Sequence, residues 1–245
     1  MKALTRQLYQ YDHLLVFSAY KTPDMHSHLA SHILLATEGR LHCRINEHEV
    51  LCYGICIASD VSHTAYAEGG SMLMFLFDET SDHAKGLEEN FLKGNDFAVM
   101  EENLVEKMRQ IWHEDQSDLR AVDEKILNLC GVEKEREKGY DKRVIKILHI
   151  VHEMEIIDSD VMEQICDSVF LSKSRVSHLF KENVGIPLNR YLVLEKMRKA
   201  YEYFSQSGNI TEAALRAGFD SSSHYAATCK RMFGISFSDY ARSTK

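Results

Sequence analysis

The chain has 245 residues, 44% of them apolar, enough to bury a real core, which excludes disordered and fibrous classes. No apolar run nears the roughly 20 residues of a membrane helix, since the longest, Met72 to Phe77, stops at Asp78. The net charge of −8 is uneven: residues 1–140 hold 14 Lys and Arg against 24 Asp and Glu, whereas residues 141–245 hold 15 against 13, so only the second part suits a polyanion. The opening MKALTRQLYQYD lacks the apolar stretch of a secretory leader, and six cysteines in a chain of this size fit reduced thiols. A soluble, cytoplasmic protein with no membrane partner is expected.

From Leu14 to Phe77, short apolar segments are punctuated by turn residues, LLVFSAY, HILLATEG, LHCRI, VLCYG, CIASD, TAY and GGSMLMFLFDE, a spacing that predicts an all-β sandwich or barrel. At Phe97 the period changes. Phe97, Met100, Leu104, Met108 and Ile111 recur at helical spacing, HEDQSD interrupts, and Leu119, Val122, Ile126 and Leu129 resume the stripe. A helical hairpin is expected, packing on the barrel or on a second copy of the chain, with a homodimer as the expected assembly. The charged GVEKEREKGYDKR reads as a linker, placing the boundary near Gly139. Three regions result: barrel 1–96, hairpin and linker 97–139, and helical domain 140–245.

After Tyr140 seven helical stretches follow, DKRVIKILHIVHEME, VMEQICDSV, KSRVSHLFKEN, PLNRYLVLEKMRKAYEYF, ITEAALRAG, SSSHYAATCKRMF and SFSDYAR, with expected caps at Ser159 or Asp160, Asn209 and Ser236. Sliding this domain along itself by 49 residues pairs Phe170 with Phe219, Ser172 with Ser221, Ser174 with Ser223, Lys181 with Lys230, Gly185 with Gly234, Ile186 with Ile235 and Tyr191 with Tyr240. Seven identities in 22 positions mark a duplicated unit, and each copy reads as helix, tight turn, second helix. Two such units joined by a long central helix could present two recognition helices about 34 Å apart, one turn of DNA.

The segments LSKSRVSHLFKENVGIPLNRYL and ITEAALRAGFDSSSHYAATCKRMFGISFSDYAR resemble the tandem helix-turn-helix domain of AraC-type transcription regulators, most closely from Gly218 to Tyr240. That resemblance implies an N-terminal cupin-like barrel and binding of double-stranded DNA. By position in its pattern, Ser174, Ser177 and His178 in the first unit and Ser222, Ser223 and His224 in the second face base edges. Lys173, Lys181, Lys230 and Arg231 suit phosphates. The chain departs from the pattern at Ala227, Cys229, Phe237 and the Glu195–Lys196 pair, so the second unit is expected to read bases less strongly than the first.

Six of the thirteen histidines, His26, His28, His32, His42, His48 and His63, fall within 38 residues. If Met25 to Ile33 is one strand, His26, His28 and His32 share a face. HSHLASHILLATEG resembles the first cupin motif, with His32 where the acid stands, and ASDVSHTAY resembles the second, supplying His63. These four imidazoles could hold Zn, Ni, Cu or Fe, or else line a pocket for an organic effector. His83, His113 and His149 read as surface or helix-face residues, and Cys52 and Cys56 as small buried hydrophobes.

The expected function is a DNA-binding transcription regulator, not an enzyme, whose barrel senses a small molecule or metal and shifts the hairpin between two arrangements, with the transcription machinery as a further partner if it activates. The alternative is a metal-dependent cupin enzyme of dioxygenase or isomerase type, which would leave the helical repeat without a role.

Overall fold

The computed structural model of the chain describes residues 6–10, 12–18, 25–132 and 140–233. It divides into two compact units, Met1–Lys134 with Lys230–Lys245, and Glu135–Cys229. The first is an all-β barrel of two sheets with helices packed outside it. Strands β1 (Arg6–Tyr9), β2 (His13–Ser18), β3 (Ser31–Ala36), β6 (Gly54–Ile57), β8 (Met72–Phe77) and β9 (Phe97–Val99) form one sheet in the order β1-β2-β8-β3-β6-β9. Strands β4 (Leu41–Ile45), β5 (His48–Cys52) and β7 (His63–Ala67) form the other in the order β5-β4-β7. The pairings among these strands are antiparallel.

Strand β3 is buried at all six positions because both of its faces are covered. Leu34 and Ala36 point between the sheets, where they meet Leu41, Ile45, Ile55 and Ala65. Ile33 and Leu35 point to the other side, where Leu73, Phe75 and Phe77 of β8 complete a floor for the helices. The large sheet therefore has two buried faces of different content, and each carries its own group of histidines.

Helices α1 (Asp82–Leu87), α2 (Glu102–Asp115) and α3 (Leu119–Cys130) cover that floor, and a single π turn follows α1 at Glu88–Leu92. Helix α1 was not expected from the sequence; Ser81 caps it by accepting from the Ala84 amide. One expectation is corrected in this region. Phe97 does not open the helical stripe: Phe97, Ala98 and Val99 pair with Ile57, Cys56 and Ile55 as the edge strand β9, so the sheet runs past residue 96 and the helix starts at Glu102. The aromatic and β-branched ends of FAV suit an extended edge better than a first helical turn. Of the two packings open to the hairpin stripe, the structure shows the one on the barrel: Val105, Met108, Trp112, Val122, Ile126 and Leu127 pack with Leu15, Phe75 and Leu87. Close approach of α2 depends on Gly54, where a Cβ would lie 2.9 Å from Val105 Cγ2.

The second unit is helical: α4 (Lys142–Glu153), α5 (Val161–Val169), α6 (Lys173–Val184), α7 (Leu188–Ser207), α8 (Ile210–Arg216) and most of α9 (Ser222–Phe233), whose residues from Lys230 on are grouped with the first unit. Asn209 caps α8 by accepting from the Thr211 and Glu212 amides, and Ser172 caps α6 by accepting from Arg175. Asp160 precedes α5 without a side-chain capping bond. The expected seventh helix, its Ser236 cap and the Gly139 boundary lie outside the described residues. Val144, Ile147 and Val151 of α4, Val176 and Phe180 of α6, and Tyr191 and Met197 of α7 form the buried interior. The Glu195–Lys196 departure is used structurally. Arg198 forks onto Glu195 at 2.8 and 3.0 Å, Lys196 Nζ donates to the Gly218 carbonyl at 2.9 Å, and the nearly buried Lys199 donates to the His152 carbonyl at 2.6 Å.

Candidate metal centre and nucleic-acid interface

The strand expected over Met25–Ile33 begins only at Ser31; His26 makes an isolated bridge with His63, and the segment between is irregular. The four imidazoles nevertheless meet. His32 on β3 and His63 on β7 point between the sheets with ring centroids 4.6 Å apart, while His28 lies 4.9 Å from His32 and 5.1 Å from His63. His26 stands 4.7 Å from His63 and 5.6 Å from His28. Backbone carbonyls accept from one nitrogen of two of these rings: His63 Nδ1 donates to Val61 at 2.9 Å and His32 Nδ1 to Ala30 at 3.3 Å. Such bonds leave Nε2 of each ring with its lone pair. His32 Nε2 and His28 Nδ1 are buried and unpartnered.

Burial, with the neighbouring imidazoles adding to it, lowers the pKa of His28 to about 3. Burial likewise lowers His63 to about 4, against a smaller upward pull from the Val61 carbonyl, and pushes His32 well below its ordinary value. At neutral pH these three rings are uncharged and basic toward a Lewis acid. Ligand atoms of His26, His28 and His63 all lie within 4.8 Å of one another. His42, on the opposite side of its strand from buried Cys43, pairs with Glu68 at 2.9 Å, and His48 is exposed on β5; neither belongs to the group.

A second group escaped sequence reasoning. His13 Nδ1 lies 2.9 Å from Asp12 Oδ1, and its Nε2 lies 3.0 Å from Asp123 Oδ2. His83, expected as a surface residue, instead places Nδ1 2.9 Å from Asp12 Oδ2 and stacks on Phe77. Burial alone would lower the His13 pKa, but the Asp123 charge and the bonds to both carboxylates outweigh it and hold the ring protonated. Burial would raise Asp12, yet its bonds to His13 and His83 hold it far below the usual carboxylate range. The four residues are separated by up to 111 positions and share no motif, so no local signal could have found them.

In the helical unit, α6 presents Lys173, Ser174, Ser177, His178 and Lys181 to solvent and turns Val176 and Phe180 inward. Arg175, exposed in the first turn, adds a positive charge that the sequence reading passed over. On α9, Ser223, His224, Ala227, Lys230 and Arg231 are exposed, Ser222 is half-buried, and Cys229 faces inward. His178 pairs with Glu182 at 3.2 Å and His224 with Asp220 at 2.9 Å, each one helical turn away. Both rings are thereby held over the outer helix face.

Residues 165–243 match the family model described as a helix-turn-helix domain. The C-terminal part of the chain carries a helix-turn-helix domain of the AraC type. The matched residues take in the end of α5 and the whole of α6, α7, α8 and α9. Comparison with curated proteins returns no significant match. Among solved structures, an apo ToxT variant from Vibrio cholerae strain SCE256 is 10% identical over 97% of this chain and 99% of its own, with a TM-score of 0.48. Unsaturated fatty acid bound ToxT from the same strain is 10% identical over 96% and 97%, with a TM-score of 0.44. An RmlC-like cupin from Shewanella frigidimarina NCIMB 400 is 14% identical over 31% of this chain and 77% of its own, with a TM-score of 0.29.

Proposed function

We propose that the chain is a sequence-specific, DNA-binding transcription regulator whose barrel senses a transition metal ion or small molecule. The observation that carries the DNA-binding half is the AraC-type helix-turn-helix match over residues 165–243, with the polar and basic faces of α6 and α9 left exposed. Ser174, Ser177, His178, Ser222, Ser223 and His224 are assigned to base edges, and Lys173, Lys181, Lys230 and Arg231 to phosphates. This reading favours a regulator over a cupin enzyme, because an enzyme would leave two helix-turn-helix pairs unexplained. It sets the protein in the cytoplasm with double-stranded DNA, and the transcription machinery if it activates, as partners.

The sensing half rests on His26, His28, His32 and His63. The buried, unpartnered nitrogens of His28 and His32, beside the rings of His26 and His63, fit Zn, Ni, Cu or Fe, and the absence of a carboxylate from this set disfavours Mg and Ca. A bound ion would supply a cross-link between β3 and β7, and hence between the two sheets. Elemental analysis of untagged protein beside His28→Ala tests it: about one metal per chain fewer in the variant than in the wild type supports the metal. Equal metal content in the two turns the proposal to an organic effector.

The whole reading is tested by selecting duplexes from a random pool with the full chain. Saturable, sequence-preferring binding that weakens steeply with salt is expected. Uniform weak binding to all duplexes would sink it. Sedimentation with and without the selected duplex reads out a homodimer.

A further inference from the structure

We propose that Asp12, His13 and His83 form a second transition-metal site, on the face of the large sheet opposite the four-histidine group, with Asp123 as the acceptor that orients His13. Ligand atoms of Asp12, His13 and His83 all lie within 4.8 Å of one another. The donor set is two imidazoles and one carboxylate, which suits a borderline divalent ion of the Zn²⁺, Fe²⁺ or Co²⁺ class. Its surroundings are apolar: His13 is the cross-strand partner of Phe77, and Phe77 stacks on His83.

The strongest argument is the role of Asp123. Metal-bound histidines commonly donate their other N–H to a carboxylate, which fixes the tautomer and raises the ring's basicity. His13 has that arrangement, with Nε2 3.0 Å from the buried Asp123 and Nδ1 turned toward Asp12. Gln10 Nε2 also reaches Asp123 Oδ2 at 3.4 Å and steadies the acceptor. His83 comes from α1 and Asp12 from the turn before β2, so the three ligands converge from different elements and leave one partly open side at His83.

Charge points the same way. Two carboxylate side chains, Asp12 and Asp123, converge on the His13 and His83 rings, and a divalent ion held by Asp12, His13 and His83 would match them in charge while leaving the His13–Asp123 contact in place. The site joins β2, α1 and, through Asp123, α3.

The experiment uses the full chain with the other group disabled, as His28→Ala/His32→Ala, stripped with chelator and titrated with Co²⁺. About one Co²⁺ per chain is expected, with visible d–d absorption from nitrogen and oxygen ligands. Adding His83→Gln should abolish that absorption, and adding Asp123→Asn should weaken affinity about 10–100-fold at unchanged stoichiometry. No Co²⁺ uptake by the double variant, or uptake indifferent to His83→Gln, overturns the proposal. If His83→Gln fails to fold by circular dichroism, melting of the double variant with and without Zn²⁺ decides: a raised midpoint supports the site, and an unmoved one overturns it.

Discussion

Phe170 and Phe219, identical residues at the 49-residue shift, occupy opposite environments. Phe219 is buried, edge-on to Tyr225 at 5.1 Å and to His224 at 5.5 Å, with Lys196 Nζ 5.9 Å above its ring. Phe170 is 90% exposed and ends α5 in the left-handed conformation, φ 54°. The left-handed step in the second pair is taken by Gly218 instead. Phe219→Ala should therefore cost about 3–5 kcal/mol, as for other buried aromatics. Phe170→Gly should stabilise by about 0.5–1 kcal/mol, since glycine adopts that backbone without strain. Urea unfolding of the full chain measures both, and equal effects would contradict the inequivalence.

Gly218 has no comparable freedom. Its φ is +97°, and a Cβ there would lie 2.1 Å from the Ile157 carbonyl oxygen, a backbone atom that no side-chain rotation can move. Its own carbonyl accepts from Lys196, so the turn is fixed on two sides. Gly218→Ala is expected to destabilise by at least about 2 kcal/mol, combining left-handed strain with overpacking. A wild-type urea midpoint for this variant would mean that the turn relaxes.

These two turns show how far the sequence could be read. Helices α4 to α9 were legible because apolar spacing and capping residues repeat locally, and the duplication was visible because Ser172 and Ser221 both open a second helix. The one-residue difference in the turns was not, since it depends on which residue takes φ > 0. Strands β2 to β8 could be read from apolar runs and turns, β1 and β9 could not, and α1 was hidden in the polar SDHAKGLEEN, where Ser81 makes the only strong local signal. His26, His28, His32 and His63 declared themselves by clustering in sequence. Asp12, His13, His83 and Asp123 meet only because β2 and α3 pack, and no spacing rule spans that distance.

The α6 surface separates base reading from anchoring. His178 is exposed and held by Glu182, and Lys181 is exposed on the same helix one turn further on. His178→Ala is expected to relax discrimination at one base-pair position by about 1–3 kcal/mol, while Lys181→Ala should weaken all duplexes alike and reduce the salt slope by about 1. Binding of both variants to the selected duplex and its single-position mutants makes the comparison. Identical behaviour would reverse the assigned roles.

Acid should weaken the barrel in a defined window. His28 and His63 titrate near 6.5 when unfolded but at about 3 and about 4 in the fold, and His32 is lowered as well, in each case chiefly by burial. The unfolded chain therefore binds more protons than the fold once the pH drops below 6.5, and stability falls with it. The stabilising contribution is complete above pH 6.5 and is lost progressively toward pH 4 and 3. Chelator-treated full chain should show falling urea midpoints from about pH 7 to 6 to 5, before the carboxylates begin to protonate. Replacing one buried ring by an apolar side chain, His32→Leu, removes one site of proton uptake by the unfolded chain and should make that fall shallower. A wild-type midpoint that stays flat across this range would show that the cluster is not buried as neutral imidazole.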